Sequence, residues 1–385
     1  MTCTISQFEV SCLQITPKTS WIFVSLRTQG EITGIGEATL NGQDAEVVAA
    51  GEKHQGLVLG ADANSPDTLF QTLPFSTLPE AAFSSAVMQA IWDIAGRKTG
   101  KPTSAVLGDP LRTKIPVYAN INRRTLDRTP EGFANSASDA ISAGFSAIKI
   151  APFDGLDSEK SKIATNKFID EGVARVDAVR RAIGSDARLM VDCHWRFNEL
   201  SAQHATAELA LFDPYWIECP IEETVDNIPT LLKLRSAANS HGIRLAGCET
   251  MIKCEGFKPY LAAGAYDVMM PDIQYAGGPC EMLRIAELFE LFSVEFSPHN
   301  PTGPIAHAAV LQICANVSKD VFLETQFDES PLFDELVSKA IEPISNGWAL
   351  VPQTPGIGVE LNQTLANELD KTGYWSSEKS DREST

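Results

Sequence analysis

Three acidic residues, each at the end of a short apolar run, constrain the fold of this chain most. Asp192, Glu218 and Glu249 close the runs RLMVDCH, PYWIECP and IRLAGCE and lie 26 and 31 residues apart. A strand, a loop, a helix and a return loop fill such a gap, so we expect the acids at equivalent ends of consecutive parallel strands. Carboxylates held together in this way suit a hard cation such as Mg²⁺.

The same spacing extends on both sides of the three acids. Eight strand-like runs, from IPVYANI and AIKIA to VFLE, alternate with segments long enough for a helix. A closed parallel barrel needs eight such units and carries its chemistry at the carboxyl ends of the strands. An open doubly wound sheet is the main alternative, but its binding site concentrates at a switch in strand order.

The chain length indicates more than one domain, because 385 residues exceed the usual size of a single core. Residues 1–112 have the pattern of an antiparallel meander followed by helices, with turns at Gly30 and at Gly34 to Gly36, which predicts an α+β capping domain. Residues 113–335 are predicted to form a (β/α) barrel of modified TIM type. Residues 336–385 are predicted to return to the cap and to end in a disordered tail.

Composition narrows the class of partner. The net charge of −19 argues against nucleic acids and anionic membranes, because both require a basic surface. The amino terminus lacks a signal-peptide pattern and no run of about 18 apolar residues occurs, so we expect a cytoplasmic protein that does not enter membranes. The eight cysteines show no CxxC spacing, which favours reduced thiols over zinc or disulfides. A small anionic substrate would therefore meet local cations or a metal.

Two histidines follow strands of the same set. His194 lies two residues past Asp192, and His299 ends the run VEFSPH. Asp272, one unit earlier in MMPDIQYAGG, is expected to hydrogen-bond the second ring nitrogen of His299, which would fix its tautomer and raise its basicity. A structural role for His299 and a capping role for His194 are the alternatives.

Two further charged residues are candidates for chemistry. Lys149 ends the second barrel strand in FSAIKIAPF and is expected to contact a substrate carboxylate. Glu324, in VFLETQF, is expected to share a proton with the developing enediolate or to hydrogen-bond it. Both positions are at strand ends, where this type of barrel places catalytic groups.

Substrate recognition is predicted at the barrel mouth. The cap segment from Thr16 to Trp21 and a loop near Ala81 to Ser85 are expected to close the mouth and to select stereochemistry. The candidate substrate-binding residues are Asn122, Arg123, Trp21 and Asn300.

The motifs in this order resemble the enolase superfamily, in its mandelate racemase-like branch. The matching strings are GIGEA and WDIAGR in the cap, then MVDCH, WIECP, AGCE, MPD…GG, SPHNPTGPIA and LET in the barrel. Within that branch, Asp-x-His at the first acid and PHNPxGPIA around His299 are similar to the sugar-acid dehydratases of the D-galactonate type.

The resemblance implies a complete set of roles. Asp192, Glu218 and Glu249 would bind one Mg²⁺ per subunit, and the subunits would form a symmetric homo-oligomer. The pair of His299 and Asp272 would be one catalytic group and His194 the other, and Glu324 would stabilise the intermediate. Our own hypothesis is that His299 takes the C2 proton of an aldonate-like sugar acid and that His194 protonates the departing 3-hydroxyl, which gives a 2-keto-3-deoxy acid. The sequence leaves open whether these two roles are exchanged.

One departure from the branch leaves alternatives open. Many relatives carry Lys-x-Lys on the second strand, whereas this chain has Lys149 followed by Ala151 two residues later. A racemase needs acid or base groups on both faces of the α-carbon, so the missing lysine disfavours that activity unless Lys149 substitutes. A racemase or epimerase, or a lactone cycloisomerase, would act through the same enediolate. A metal-binding barrel without catalysis is the remote alternative.

Overall fold

The computed structural model describes residues 3–153, 162–338 and 341–370. Its amino-terminal part is a three-stranded antiparallel sheet in the order β1-β2-β3, against which the third helix packs. The strands are β1 (Ile5–Thr16), β2 (Thr19–Thr28) and β3 (Thr33–Glu37), and the helices are α1 (Asp44–Val58), α2 (Pro66–Thr72), α3 (Leu78–Thr99) and α4 (Thr103–Leu107). This arrangement is the predicted α+β cap.

The predicted turn at Gly34 to Gly36 is wrong, because both glycines lie inside β3. A Cβ atom on Gly34 would overlap the carbonyl oxygen of Ala90, and one on Gly36 would overlap that of Ala86. The glycines therefore permit the close approach of α3 to the strand. The other predicted turn, at Gly30, lies between β2 and β3.

Helix α3 follows from its sequence. The Thr77 side chain caps its first turn by accepting from the backbone N–H of Glu80, and Gly100 ends it in the left-handed conformation at φ 68°. Its apolar side chains Phe83, Val87, Ile91 and Ile94 are buried. The segment Ala81 to Ser85 belongs to this helix, so the prediction of a mouth-closing loop there is wrong.

Eight parallel strands form the second part, in the order β10-β9-β8-β7-β6-β5-β4-β11. A parallel bridge from Phe296 to Val321 joins β10 to the chain entering β11, which closes the sheet into a barrel. The closure excludes the open doubly wound sheet. The strands are β4 (Lys114–Asn120), β5 (Ala147–Ile150), β6 (Arg188–Asp192), β7 (Trp216–Glu218), β8 (Arg244–Gly247), β9 (Val268–Met269), β10 (Glu295–Phe296) and β11 (Leu323–Gln326).

Helices surround the barrel and separate its strands. They are α5 (Pro130–Ser142), α6 (Lys162–Ile183), α7 (Glu199–Leu209), α8 (Ile228–Asn239), α9 (Lys253–Ala263), α10 (Pro279–Phe292), α11 (Pro304–Cys314) and α12 (Leu332–Glu335), and α13 (Gln363–Leu369) follows near the end of the described chain. Inside the barrel, a separate apolar cluster that includes Tyr118, Met190, Trp216 and Phe322 fills the lumen. This cluster therefore keeps water from reaching the polar groups at the carboxyl ends of the strands through the barrel interior.

The carboxyl-terminal segment contacts both parts of the molecule. Strand β12 (Trp348–Leu350) pairs antiparallel with β4 of the barrel. Farther on, the backbone N–H of Ile357 donates to Asp93 of α3 at 2.8 Å, and Arg97 donates to the carbonyl of Val359 at 2.9 Å. The segment therefore returns to the barrel as well as to the predicted cap, and the domain limits at 112 and 335 stay predictions. Residues 371–385, in the predicted disordered tail, lie outside the described residues.

No helix in the described ranges combines the length and the apolar character needed to cross a bilayer.

Candidate active site

Three buried carboxylates stand at the carboxyl ends of neighbouring barrel strands. Asp192 and Glu218 are the last residues of β6 and β7 and are paired in the sheet register, and Glu249 follows β8 by two residues. Their exposed fractions are 2%, 0% and 7%. His194, Cys219 and Cys248, which adjoin them in sequence, all have positive φ, so the chain turns sharply out of the strands at this edge.

Most carboxylate oxygens of the trio already have donors. Asp192 accepts from the backbone N–H of His194 at 2.9 Å and lies 2.8 Å from its Nε2 atom. Glu218 accepts from Nζ of Lys149 at 2.6 Å and from Nε1 of Trp216 at 2.8 Å. Glu249 lies 3.6 Å from Nε2 of His299. Cationic side chains therefore surround the trio.

Burial and mutual repulsion shape the pKa values of the trio. Burial raises the pKa of Glu218 to about 8 despite Lys149, and the charges of Asp192 and Glu249 add to the rise. The pKa of Glu249 is raised by burial and by the charge of Asp192. Burial would also raise the pKa of Asp192, but the charge and hydrogen bonds of His194 and the charge of Lys149 lower it to about 2. The three acids are thus close enough to repel one another.

The trio fits a divalent cation in donor chemistry. Hard carboxylate oxygens on three adjacent strands are the ligands that Mg²⁺ prefers, and repulsion among buried acids is what a cation would relieve. Across the described ranges, however, no group of three or more His, Cys, Asp or Glu side chains is spaced to hold a metal ion. In this arrangement Asp192 faces His194 and Glu218 faces Lys149, so a bound metal ion would share these carboxylate oxygens with the two side chains.

His299 and Asp272 form the hydrogen-bonded pair that the sequence predicts. Nδ1 of His299 lies 2.8 Å from Oδ2 of Asp272, whose Oδ1 accepts from the backbone N–H of Gln274 at 2.8 Å. Burial would lower the pKa of His299, but the charge of Glu249, the bond to Asp272 and the charge of Glu324 raise it to about 10. The His299 side chain is 12% exposed. This imidazole is held at Nδ1 and faces Glu249 with Nε2.

Lys149 lies inside the site rather than at its mouth. Its Nζ atom is 2.6 Å from Glu218 and 2.8 Å from Glu324, and the side chain is 1% exposed. Burial would lower the pKa of Lys149, yet the two carboxylates raise it well above its usual value. The structure therefore does not place this lysine where we expected it to meet a substrate carboxylate.

Glu324 is saturated with donors. Besides Lys149 it accepts from Nδ2 of Asn120 at 2.6 Å and from the backbone N–H of Asn300 at 3.0 Å. Burial would raise its pKa, but Lys149 and His299 lower it. Its carboxylate is thus ionised and fixed at the edge of the site.

His194 is the most accessible of the candidate catalytic groups. Its side chain is 42% exposed and its backbone φ is 46°, so strand alternation ends at Asp192 and a left-handed turn brings the imidazole back to that acid. The charge of Asp192 is the main influence that raises the pKa of His194. The imidazole is therefore protonated more readily than a free histidine.

Two predicted substrate-binding residues are used by the protein itself. Asn300 is 1% exposed, donates to His307 Nδ1 and to the carbonyl of Glu324 at 2.9 Å each, and accepts from Thr302 at 2.9 Å. Trp21 is 1% exposed and packs edge-on to Phe333. Both side chains are buried and contact other protein groups, and their roles in substrate binding stay predictions.

The other two candidates follow β4 of the barrel. Asn122 accepts from the backbone N–H of Ala151. Arg123 donates to Glu329 at 3.3 Å, and Glu329 also accepts at 2.5 Å from Thr19, the first residue of β2. The predicted mouth-closing segment from Thr16 to Trp21 thus contacts the barrel through Glu329.

Two acids near the site, the half-buried Glu223 and the buried Glu37, were not predicted as functional residues. Glu223, in the loop after β7, accepts from Trp195 Nε1 at 3.1 Å, from Tyr266 at 2.8 Å and from the backbone N–H of Cys248. Burial raises its pKa to about 7. Glu37 ends β3 in the cap, and its string GIGEA was the only signal that marked it. A loop acid such as Glu223 has no periodic pattern that singles it out.

Two protein families match this chain, and together they account for its cap and its barrel with the strand-end acids and the histidine-aspartate pair. Residues 7–108 match the mandelate racemase / muconate lactonizing enzyme amino-terminal domain, and residues 132–365 match the enolase carboxyl-terminal domain-like family. The chain belongs to the enolase superfamily, in its mandelate racemase-like branch.

Relatives and solved structures agree with this placement. The chain is 30% identical over 366 residues to D-galactonate dehydratase of Ralstonia pickettii and 32% identical over 363 residues to that of Xanthomonas axonopodis pv. citri, covering 91% of each chain in both cases. A solved structure titled putative dehydratase from Zymomonas mobilis has a TM-score of 0.86 at 25% identity and covers 97% of this chain and 99% of its own. The likeness extends over both the cap and the barrel.

Proposed function

We propose that this protein is a Mg²⁺-dependent sugar-acid dehydratase, a hydro-lyase that acts on an aldonate or a related acid. The observation that carries the proposal is the placement of two imidazoles at the outer members of the carboxylate trio. His299, paired with Asp272, lies 3.6 Å from Glu249, and His194 lies 2.8 Å from Asp192. Dehydration needs one base and one acid. The similarity to D-galactonate dehydratases supports the same activity.

The proposed base is His299. Asp272 occupies Nδ1, so Nε2 is the ring nitrogen left to take the proton alpha to the substrate carboxylate. The charge of Glu249 is the foremost influence that raises the pKa of His299, so a cation held by Glu249 would bring that pKa back toward neutrality. A neutral imidazole is the form that can act as a base.

The proposed acid is His194. Its pKa is raised by Asp192, and its accessible imidazole has a proton to give to the departing 3-hydroxyl. A cation held by Asp192, Glu218 and Glu249 would supply Lewis-acid stabilisation of the negative charge that builds on the substrate carboxylate. The product would be a 2-keto-3-deoxy acid.

The position of Lys149 favours dehydration over racemisation or epimerisation. A racemase needs groups on both faces of the α-carbon, but Lys149 is 1% exposed and bound to two carboxylates, and Ala151 carries no titratable group. This leaves His299 and His194 as the proton-transferring pair. A lactone cycloisomerase and a non-catalytic metal-binding barrel have no such observation in their favour.

A screen of acid sugars tests the proposal. Purified protein with Mg²⁺ is incubated with a panel of monoacid and diacid sugars, and 2-keto acid formation and product mass are recorded. The expected product has lost the mass of one water, and the His299→Asn variant should form none. A product of unchanged mass would indicate an isomerase, and no turnover together with stabilisation by Mg²⁺ would indicate the binding protein.

A further inference from the structure

A carboxylate from the cap is buried between two loops of the barrel. Glu37, the last residue of β3, is 0% exposed. One of its oxygens accepts from the backbone N–H of Gly303 at 2.8 Å, from Nε2 of Gln274 at 3.1 Å and from Thr39 at 2.9 Å. The other oxygen accepts from the backbone N–H of Ala306 at 2.9 Å. All four donors are neutral.

The first loop held by Glu37 carries His299. Helix α11 starts at Pro304, shortly after His299, and its amino-terminal cap residue is Gly303, which has no side chain to accept a hydrogen bond. Glu37 performs this function from the other part of the molecule, since it accepts from the first-turn N–H groups that a helix leaves free. A Cβ atom on Gly303 would lie 2.9 Å from both Glu37 oxygens, so a residue with a side chain at this position would crowd the Glu37 carboxylate.

The second loop held by Glu37 carries Asp272. The Gln274 side chain donates to Glu37, while the Gln274 backbone N–H donates to Asp272 at 2.8 Å. Gln89 of α3 adds a second connection, because it bonds both backbone groups of Glu37 and also the carbonyl of Ile273 at 3.3 Å. The cap is therefore attached on both sides of the His299 and Asp272 pair.

We propose that Glu37 is a positioning residue that sets the hydrogen bond between Asp272 and His299 from the cap. The inference rests on the proposed function of that pair as the base. A histidine with a displaced carboxylate partner loses its fixed tautomer, and partners of this kind are worth 10- to 100-fold in activity.

The choice of a carboxylate supports this role. Burial raises the pKa of Glu37 to about 7, so an ionised group here is costly for mere packing. An amide could not replace it, because the donors approach both oxygens, and the NH₂ group of a glutamine would face one of the backbone N–H groups. The charge also lies near Asp272, whose repulsion contributes to the raised pKa.

The test compares Glu37→Gln with Asp93→Asn. Asp93 is a control because it is also a buried acid of the cap that accepts backbone N–H groups, from Ile35 at 3.1 Å and Ile357 at 2.8 Å. Its remaining hydrogen bond among the described residues comes from Arg97 at 2.9 Å, so none of these bonds reaches the two loops. We expect Glu37→Gln to lower kcat about 10- to 100-fold with KM changed less than about twofold. Asp93→Asn should lower the melting temperature but leave kcat within about twofold.

A second readout does not depend on turnover. The chain has six histidines, so a ¹⁵N-histidine spectrum can follow the hydrogen-bonded Nδ1 proton of His299, assigned by its loss in His299→Asn. This signal should move or disappear in Glu37→Gln and stay in Asp93→Asn. If the wild-type protein shows no turnover but the His299 signal still changes in Glu37→Gln, the proposed function would be wrong and the inference about Glu37 would stand.

Three results would overturn the inference about Glu37. They are an unchanged spectrum, an unchanged kcat in active protein, and equal losses of kcat in both variants. Should Glu37→Gln not fold, Glu37→Asp keeps the charge but shortens the side chain by one methylene. The inference then requires that Glu37→Asp shift the His299 signal and lower kcat while Asp93→Asn does neither.

Discussion

Nδ1 of His299 lies 2.8 Å from Oδ2 of Asp272, although the two residues come from loops that follow different strands. The bond leaves Nε2 as the nitrogen that faces the carboxylate trio. The orientation of one imidazole thus decides which atom of the enzyme can take a proton.

Exchange of the α-proton separates the two histidines. We expect His299→Asn to slow exchange of the substrate α-proton in D₂O by roughly 10²- to 10⁴-fold, because the base is gone. His194→Asn should keep exchange while losing dehydration by a similar factor, because only departure of the hydroxyl is affected. Proton NMR of the substrate measures both. The reverse pattern would exchange the two roles.

Removal of the buried ammonium group of Lys149 should destabilise the fold. Lys149→Met leaves Glu218 and Glu324 without their shared counter-charge, so we expect the free energy of unfolding to fall by about 3–5 kcal/mol. The control is Lys167→Met, because Lys167 is 76% exposed and 3.8 Å from Glu171, and it should change stability by less than about 0.5 kcal/mol. Urea unfolding followed by circular dichroism compares them. Equal stabilities would contradict the buried pairing.

Binding of Mg²⁺ should stabilise the protein through the trio. A cation at about 100 times its dissociation constant adds about 2.7 kcal/mol, so the melting temperature should rise on addition of Mg²⁺ and fall again with a chelator. Asp192→Asn should abolish the rise. Asp186→Asn, at an exposed carboxylate outside the barrel mouth, should keep it. A rise that survives in Asp192→Asn would place the cation elsewhere.

His307 should make the fold sensitive to acid. Burial lowers its pKa to about 4, below the usual value near 6.5, so the folded protein resists a proton that the unfolded chain accepts. The contribution is fully present above about pH 6.5 and is lost as the pH falls toward 4, at up to about 1.4 kcal/mol per unit.

The difference between two variants isolates this effect. His307→Gln should show a shallower loss of unfolding free energy between pH 6.5 and 4 than wild type, whereas substitution of the exposed His241 by Gln should keep the wild-type slope. Denaturant titrations at several pH values supply the slopes. Identical slopes in all three proteins would rule out His307 as the source.

Most of the fold could be predicted from the regular spacing of the apolar runs. The eight barrel strands and the face of α3 repeat with fixed periods, so burial can be inferred from sequence. The substrate-binding roles of Asn300 and Trp21 stay predictions, because neighbourhood in sequence does not give the direction of a side chain. The two glycines of β3 were misjudged because their reason is the approach of a distant helix, which no local pattern records. Glu37 and Glu223 were missed because most of their donors, backbone and side-chain groups alike, lie far away in sequence.

The last described segment has a practical consequence for exchanging parts between relatives. Strand β12 adds to the barrel at β4, and Ile357 then bonds to Asp93 of α3. A chimaera that swaps only the leading residues would separate Asp93 from the backbone it was selected with. Grafting the cap of a relative therefore requires two crossover points, one before Lys114 and another between Leu350 and Ile357.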